Sequence, residues 1–110
     1  MALQGTLDAT VDGDVTFRFT VRNNGTSPVA LNFRTGQRAD VVVTDAETGD
    51  EVWQWSRGQM FTQALATEEL APGETLERTL TWSDPPTGSY DAEGSLAAQQ
   101  DVSATTSLSL

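Results

Sequence analysis

The sequence contains no cysteine, no histidine and no lysine. Without cysteine, neither a disulfide framework nor a thiolate metal site can form. The same absence fits a reducing compartment. Without histidine, the usual general base and the commonest metal ligand are missing. Serine nucleophiles of the triad type need a base to take the hydroxyl proton, and neither histidine nor lysine is present to do so. No run of about 18 apolar residues occurs, so no segment reads as a membrane span. The opening MALQGTLDATVDG has neither a basic nor an apolar stretch and reads as lacking a signal peptide. A cytoplasmic, non-enzymatic protein without cofactor or metal is the expectation.

Positive charge is also scarce. The six basic residues are Arg18, Arg22, Arg34, Arg38, Arg57 and Arg78, against 16 acids, for a net charge of −10. That balance argues against nucleic acid and anionic membranes as partners. The acids run from Asp8 to Asp101 without a block. They read as a solvated surface suited to high salt, where screening makes a dense like charge tolerable. Arginine in place of lysine points the same way, because it pairs with carboxylates in bidentate fashion. A docking face for a basic partner is the competing account.

Strand patterning is abundant. Leu3, Gly5, Leu7, Ala9 and Val11 alternate with polar residues, and Asp12-Gly13 supplies a turn. Val15, Phe17, Phe19 and Val21 alternate with Thr and Arg, the cleanest strand in the chain. Asn23–Pro28 breaks the pattern with turn residues. Val29–Phe33 is a short strand, and Ala39–Thr44 has valines on both faces, which places it centrally. Asp45–Asp50 is a hairpin loop leading into Glu51–Trp53. Thr75–Trp82 puts Leu76, Leu80 and Trp82 on one face. Arg78 shares that face, so it sits near an edge or meets an acid. Tyr90–Ala98 and Val102–Leu110 complete the set. The expected fold is all-β, one domain over residues 1–110. Its architecture is an immunoglobulin-like antiparallel β-sandwich of about eight strands in two sheets.

Ser56–Gly73 is the least regular segment. It reads as a long loop with at most one helical turn through Phe61, Ala64, Leu65 and Glu68. Loops of this length within one domain are usually functional. The carboxylate pairs Glu68/Glu69, Asp12/Asp14 and Glu47/Asp50 could do acid–base work, but they lie in predicted loops among small polar residues and read as solvated turn acids. Asp12–Asp14 and Asp45–Glu51 offer oxygen ligands but lack the twelve-residue calcium pattern, and read as hairpin turns. Asn24-Gly25-Thr26 matches a glycosylation sequon and reads first as a turn. The sharpest feature is Trp53-x-Trp55, two rings on one strand face. Trp53 reads as core. Trp55 lies where the strand ends beside Arg57, and aromatic residues next to arginine resemble an interface hot spot.

The runs Phe17–Asn23, Val29–Phe33, Thr35-Gly36-Gln37, Asp40-Val41, Val52-Trp53-Gln54-Trp55-Ser56 and Met60-Phe61 resemble the intracellular proteinase inhibitor (BsuPI-type) family. Leu70–Glu74, Trp82, Gly88 and Tyr90 extend the resemblance, which covers about residues 5–98. The chain is less bulky than that family's pattern at Ala39-Asp40-Val41, where an aromatic residue is common. The resemblance implies a β-sandwich that inhibits an intracellular subtilisin-type serine protease. An inhibitory loop has to present extended backbone and resist turnover. Arg57–Thr67 is the candidate segment, with Trp55, Arg57, Gln59, Met60, Phe61 and Leu65 as contact residues. Trp55 and Phe61 would hold its base, and Met60 and Leu65 are the candidate specificity-pocket side chains. From the residues alone, Met60-Phe61 reads either as an inward anchor or as a hydrophobic pair offered to a partner. A generic immunoglobulin-like interaction module without inhibitory activity is the alternative.

Overall fold

A computed structural model describes residues 2–110. The described residues form nine strands and no helix: β1 (Leu3–Asp12), β2 (Asp14–Asn23), β3 (Val29–Phe33), β4 (Ala39–Asp45), β5 (Glu51–Gln54), β6 (Ala66–Leu70), β7 (Thr75–Trp82), β8 (Ser89–Leu96) and β9 (Ser103–Ser109). All pairings are antiparallel. Hydrogen bonds join them as β1-β2-β7, as β5-β4-β8-β9, and as a separate pair β3-β6.

Period two explains most of this. Val15, Phe17, Phe19 and Val21 of β2 are all buried, while Arg18 and Arg22 on the other face are exposed. Each such side chain contributes roughly 1.5–3 kcal/mol by leaving water. Gly13, at φ 75°, turns β1 into β2 so that Asp12 faces Asp14. Strand β4 is central as expected, with Val41 and Val43 fully buried between β5 and β8. The Asp45 carboxylate accepts hydrogen bonds from the amides of Glu47 (2.8 Å) and Thr48 (3.2 Å), which is how that acidic hairpin closes. Arg78 is exposed on β7, an edge strand, which is the first of the two placements its register allows.

The two larger sheets pack face to face through an aromatic row. Trp53 of β5 stacks on Phe17 (6.2 Å) and on Trp82 (5.5 Å), and Trp82 meets Tyr90 edge-on at 5.2 Å. Such pairs add about 0.5–1.5 kcal/mol each beyond burial. Farther along, β8 lies directly on β2. A Cβ on Gly94 would sit 2.8 Å from Phe19 Cδ1 and 3.1 Å from Leu7 Cδ1, so only glycine fits there.

Asn23 is the one buried polar side chain among the described residues. Its Nδ2 donates to the carbonyls of Ser27 and Leu70, both at 2.9 Å, and its Oδ1 accepts from the Gly25 amide at 2.9 Å. Its backbone bonds Glu74 and Gly73. One side chain thus ties the end of β2 to the β2–β3 turn and to the β6–β7 turn.

The segment after Ser56 departs from expectation. The irregular stretch stops at Leu65, and no helical turn forms through Phe61, Ala64, Leu65 and Glu68. Ala66–Leu70 is strand β6, paired with β3 from Phe33↔Ala66 to Val29↔Leu70. Thr67, expected at the end of the recognition segment, belongs to that strand. The period-two signal is masked because Glu68 takes an inward-leaning position. Arg38, in the connection between β3 and β4, ion-pairs with it there. Arg38 in turn lies over the Phe33 ring, 4.2 Å from its centre.

Candidate functional site: the loop between β5 and β6

The loop from Trp55 to Leu65 leaves the edge of the four-stranded sheet and arrives in the β3-β6 pair. Its first half is a tight turn. The Arg57 amide donates to Gln54 O (3.2 Å), the Gln59 amide donates to Ser56 O (3.0 Å), and Gly58 takes φ 86°. A side chain with Cβ is disfavoured at that angle. From Gln59 to Leu65 the chain is in neither turn nor strand.

Both ends of the loop are held. At the start, the Trp55 amide donates to Val41 O at 2.9 Å. The Asp40 carboxylate of β4 accepts from the Ser56 amide (3.0 Å) and Ser56 hydroxyl (2.7 Å). It also accepts from the Gln54 side-chain amide (2.6 Å) and its own neighbour's amide, Val41 (2.9 Å). At the far side, the Gly36 amide donates to Thr62 O at 2.9 Å. Between these anchors Trp55 and Phe61, both half-buried, pack with ring centres 5.8 Å apart. A cavity of 170 Å³ opens beside them, bounded by Arg38, Ala39 and Leu80.

Two large apolar side chains project from the anchored loop. Met60 is 97 % exposed and Leu65 is 82 % exposed. Leu65 borders a polar groove of 430 Å³ together with Asn32, Arg34, Thr67 and Gln99. Gln59 is exposed beside Met60. Arg57, also exposed, is ion-paired with Glu51 and reaches Gln54 Oε1 at 3.4 Å. An exposed pair of this kind adds little stability. It does orient Arg57 back along β5 instead of outward.

Of the residues expected to act, Trp55 and Phe61 form the base, Met60, Leu65 and Gln59 face outward, and Arg57 turns back. Asp40, Ser56, Gly36 and Thr62 escaped sequence reasoning. One signal for Asp40 was present. Aspartate is depleted in strands, so one that opens a valine run calls for a set of donors.

Among the described residues no cluster of three or more acids, histidines or cysteines is placed to hold a metal ion. No helix there is long and apolar enough to cross a membrane.

The BsuPI family, described as intracellular proteinase inhibitor, matches residues 3–101. The chain belongs to that family. The BsuPI match spans every strand from β1 to β8, the whole loop and the Asp40 anchor. No curated protein matches the chain in sequence. Among solved structures, the BsuPI fold here is similar to the CARDB domain of the PF1109 protein from Pyrococcus furiosus, solved in complex with di-metal ions. Identity is 17 %, coverage is 97 % of this chain and 90 % of that one, and the TM-score is 0.51. It is also similar to a penta-heme cytochrome c552 from Thermochromatium tepidum (10 % identity, 97 % and 40 % covered, TM-score 0.58). A third similarity is to beta-glucosidase 3B from Thermotoga neapolitana (15 % identity, 97 % and 15 % covered, TM-score 0.53). At such identities the likeness concerns the all-β, immunoglobulin-like fold alone.

Proposed function

We propose that the protein inhibits an intracellular serine protease of the subtilisin type by laying the 55–65 loop into the protease cleft. Membership of the BsuPI family supports a protease as partner and an intracellular, non-enzymatic role. One observation carries the choice of loop: Met60 is 97 % exposed on a segment tied down on both sides. Leaving a methionine in water forgoes burial that a core position would provide. A partner pocket recovers it. Holding the segment in place beforehand lowers the entropy lost on binding.

In this reading Met60 fills the main specificity pocket and Leu65 a second one. Trp55 and Phe61 support the backbone from behind, and Gln59 supplies polar contacts at the rim. Arg57 contributes through its pairing with Glu51. Inhibition is steric: the loop occupies the cleft, and its fixed backbone slows turnover.

The test is peptide hydrolysis by a subtilisin-type protease, followed with increasing amounts of this protein. Stoichiometric loss of activity with the inhibitor intact is expected. Rapid digestion of the protein with protease activity unchanged would sink the proposal and leave an immunoglobulin-like interaction module.

A further inference from the structure

We propose that Asp40 is a positioning residue that decides whether the 55–65 loop acts as an inhibitor or as a substrate; this role rests on the loop reading above. The two outcomes differ in how freely the backbone moves around the attacked bond. This chain has no disulfide to remove that freedom. The strand that feeds the loop is also a weak root. Strand β5 has four residues, lies at a sheet edge and pairs with β4 through a register shift at Val43/Thr44.

Asp40 supplies the missing constraint from the central strand. Its Oδ1 accepts the amides of Val41 (2.9 Å) and Ser56 (3.0 Å), and its Oδ2 accepts Gln54 Nε2 (2.6 Å) and Ser56 Oγ (2.7 Å). Three of these four donors belong to the residues on either side of Trp55. Hydrogen bonds to a carboxylate are roughly twice as strong as neutral ones. The constraint then passes onward, because Ser56 O receives the Gln59 amide at 3.0 Å, one residue before Met60. Strand β4 does not need the carboxylate for its pairing with β8. Its register with β8 runs unbroken from Ala39↔Leu96 to Asp45↔Tyr90. The side chain at position 40 therefore acts on the loop and on the end of β5 that feeds it, not on the β4–β8 ladder.

The experiment compares the parent with Asp40→Ala, Ser56→Ala and Ser56→Thr against a subtilisin-type protease. Three quantities are read: the inhibition constant, the bonds cut, mapped by mass spectrometry, and the melting temperature. Asp40→Ala is expected to unfold cooperatively, to inhibit at least about tenfold less well, and to be cut between Arg57 and Leu65. Ser56→Thr keeps the hydroxyl and the amide and should inhibit like the parent, whereas Ser56→Ala should inhibit less. An Asp40→Ala variant that inhibits like the parent overturns the role. So do cuts scattered along the chain with a lowered melting temperature, which would make Asp40 a stability residue only. If Asp40→Ala does not fold, equal inhibition by Ser56→Ala and Ser56→Thr overturns it. A parent that leaves the protease untouched overturns the loop reading instead. Amide exchange then tests the positioning: faster exchange confined to residues 54–59 in Asp40→Ala supports it, and unchanged exchange overturns it.

Discussion

Gly36 and Thr62 meet across the far side of the loop. The Gly36 amide bonds Thr62 O at 2.9 Å, and a Cβ on Gly36 would stand 2.7 Å from the Thr62 hydroxyl. The β3–β4 turn thus presses directly on the segment that follows Met60 and Phe61. Gly36→Ala should push Thr62 away and cost about 1 kcal/mol, the low end for overpacking because the site is open to solvent. Inhibition should weaken several-fold, and adding Thr62→Ala should restore most of it. A double-mutant cycle checks the coupling; strictly additive effects would contradict it.

Met60 offers the cleanest separation of binding from stability. Its side chain touches almost nothing, so Met60→Ala should change stability by no more than about 0.5 kcal/mol. Inhibition should fall by tenfold or more, on the order of 1.4 kcal/mol or above, if the side chain fills a protease pocket. Urea unfolding and a titration of protease activity on the same samples give both numbers. Unaltered inhibition would shift the contact to another side chain.

Phe61 is expected to behave in the opposite way. Phe61→Ala removes the ring that packs on Trp55, at a cost of about 2 kcal/mol, below the usual range for buried Phe because this ring is only half-buried. Both the denaturation midpoint and inhibition should drop. Loss of inhibition with an unchanged midpoint would mean that Phe61 contacts the protease instead of supporting the loop.

Asn23 supports the fold far from the loop. Asn23→Ala leaves the carbonyls of Ser27 and Leu70 and the Gly25 amide without their side-chain partner. A loss of about 2–4 kcal/mol is expected, from unsatisfied buried groups. The folded fraction should still inhibit with the parent's affinity, measured well below the new melting temperature.

The acidic surface gives a prediction about salt. The three ion pairs among the described residues, Arg18–Asp8, Arg38–Glu68 and Arg57–Glu51, involve only three of 16 acids. Screening weakens these pairs slightly and relieves the repulsion among the remaining acids much more. The melting temperature should therefore rise with KCl into the molar range. A flat or falling curve would favour a basic partner as the reason for the charge.

Most of the fold was legible because most strands alternate cleanly. Strand β2, with Val15, Phe17, Phe19 and Val21 inward, can be read from the sequence alone, and so can the central place of β4. Strand β6 could not be read, because Glu68 breaks the apolar rhythm and its excuse, Arg38, lies 30 residues upstream. The candidate loop was visible as an irregular stretch with aromatic ends. Its anchors were not. Asp40 reaches Ser56 only once β4 and β5 pair, and Gly36 reaches Thr62 only once the β3–β6 pair brings the β3–β4 turn against the loop. Contacts that depend on register between distant strands leave no local pattern to read.

The loop's position in the topology has a consequence for what happens after a cut. Of the six strand ladders among the described residues, three, β2-β7, β3-β6 and β4-β8, join a strand before the loop to one after it. A single peptide-bond break between Arg57 and Leu65 would leave two fragments stitched together by those ladders and by the core between them. The severed ends would stay close to their original places. If the loop inhibits as proposed, a protease that nicks it gains no release of product, and the complex persists, or the bond re-forms, without either fragment leaving.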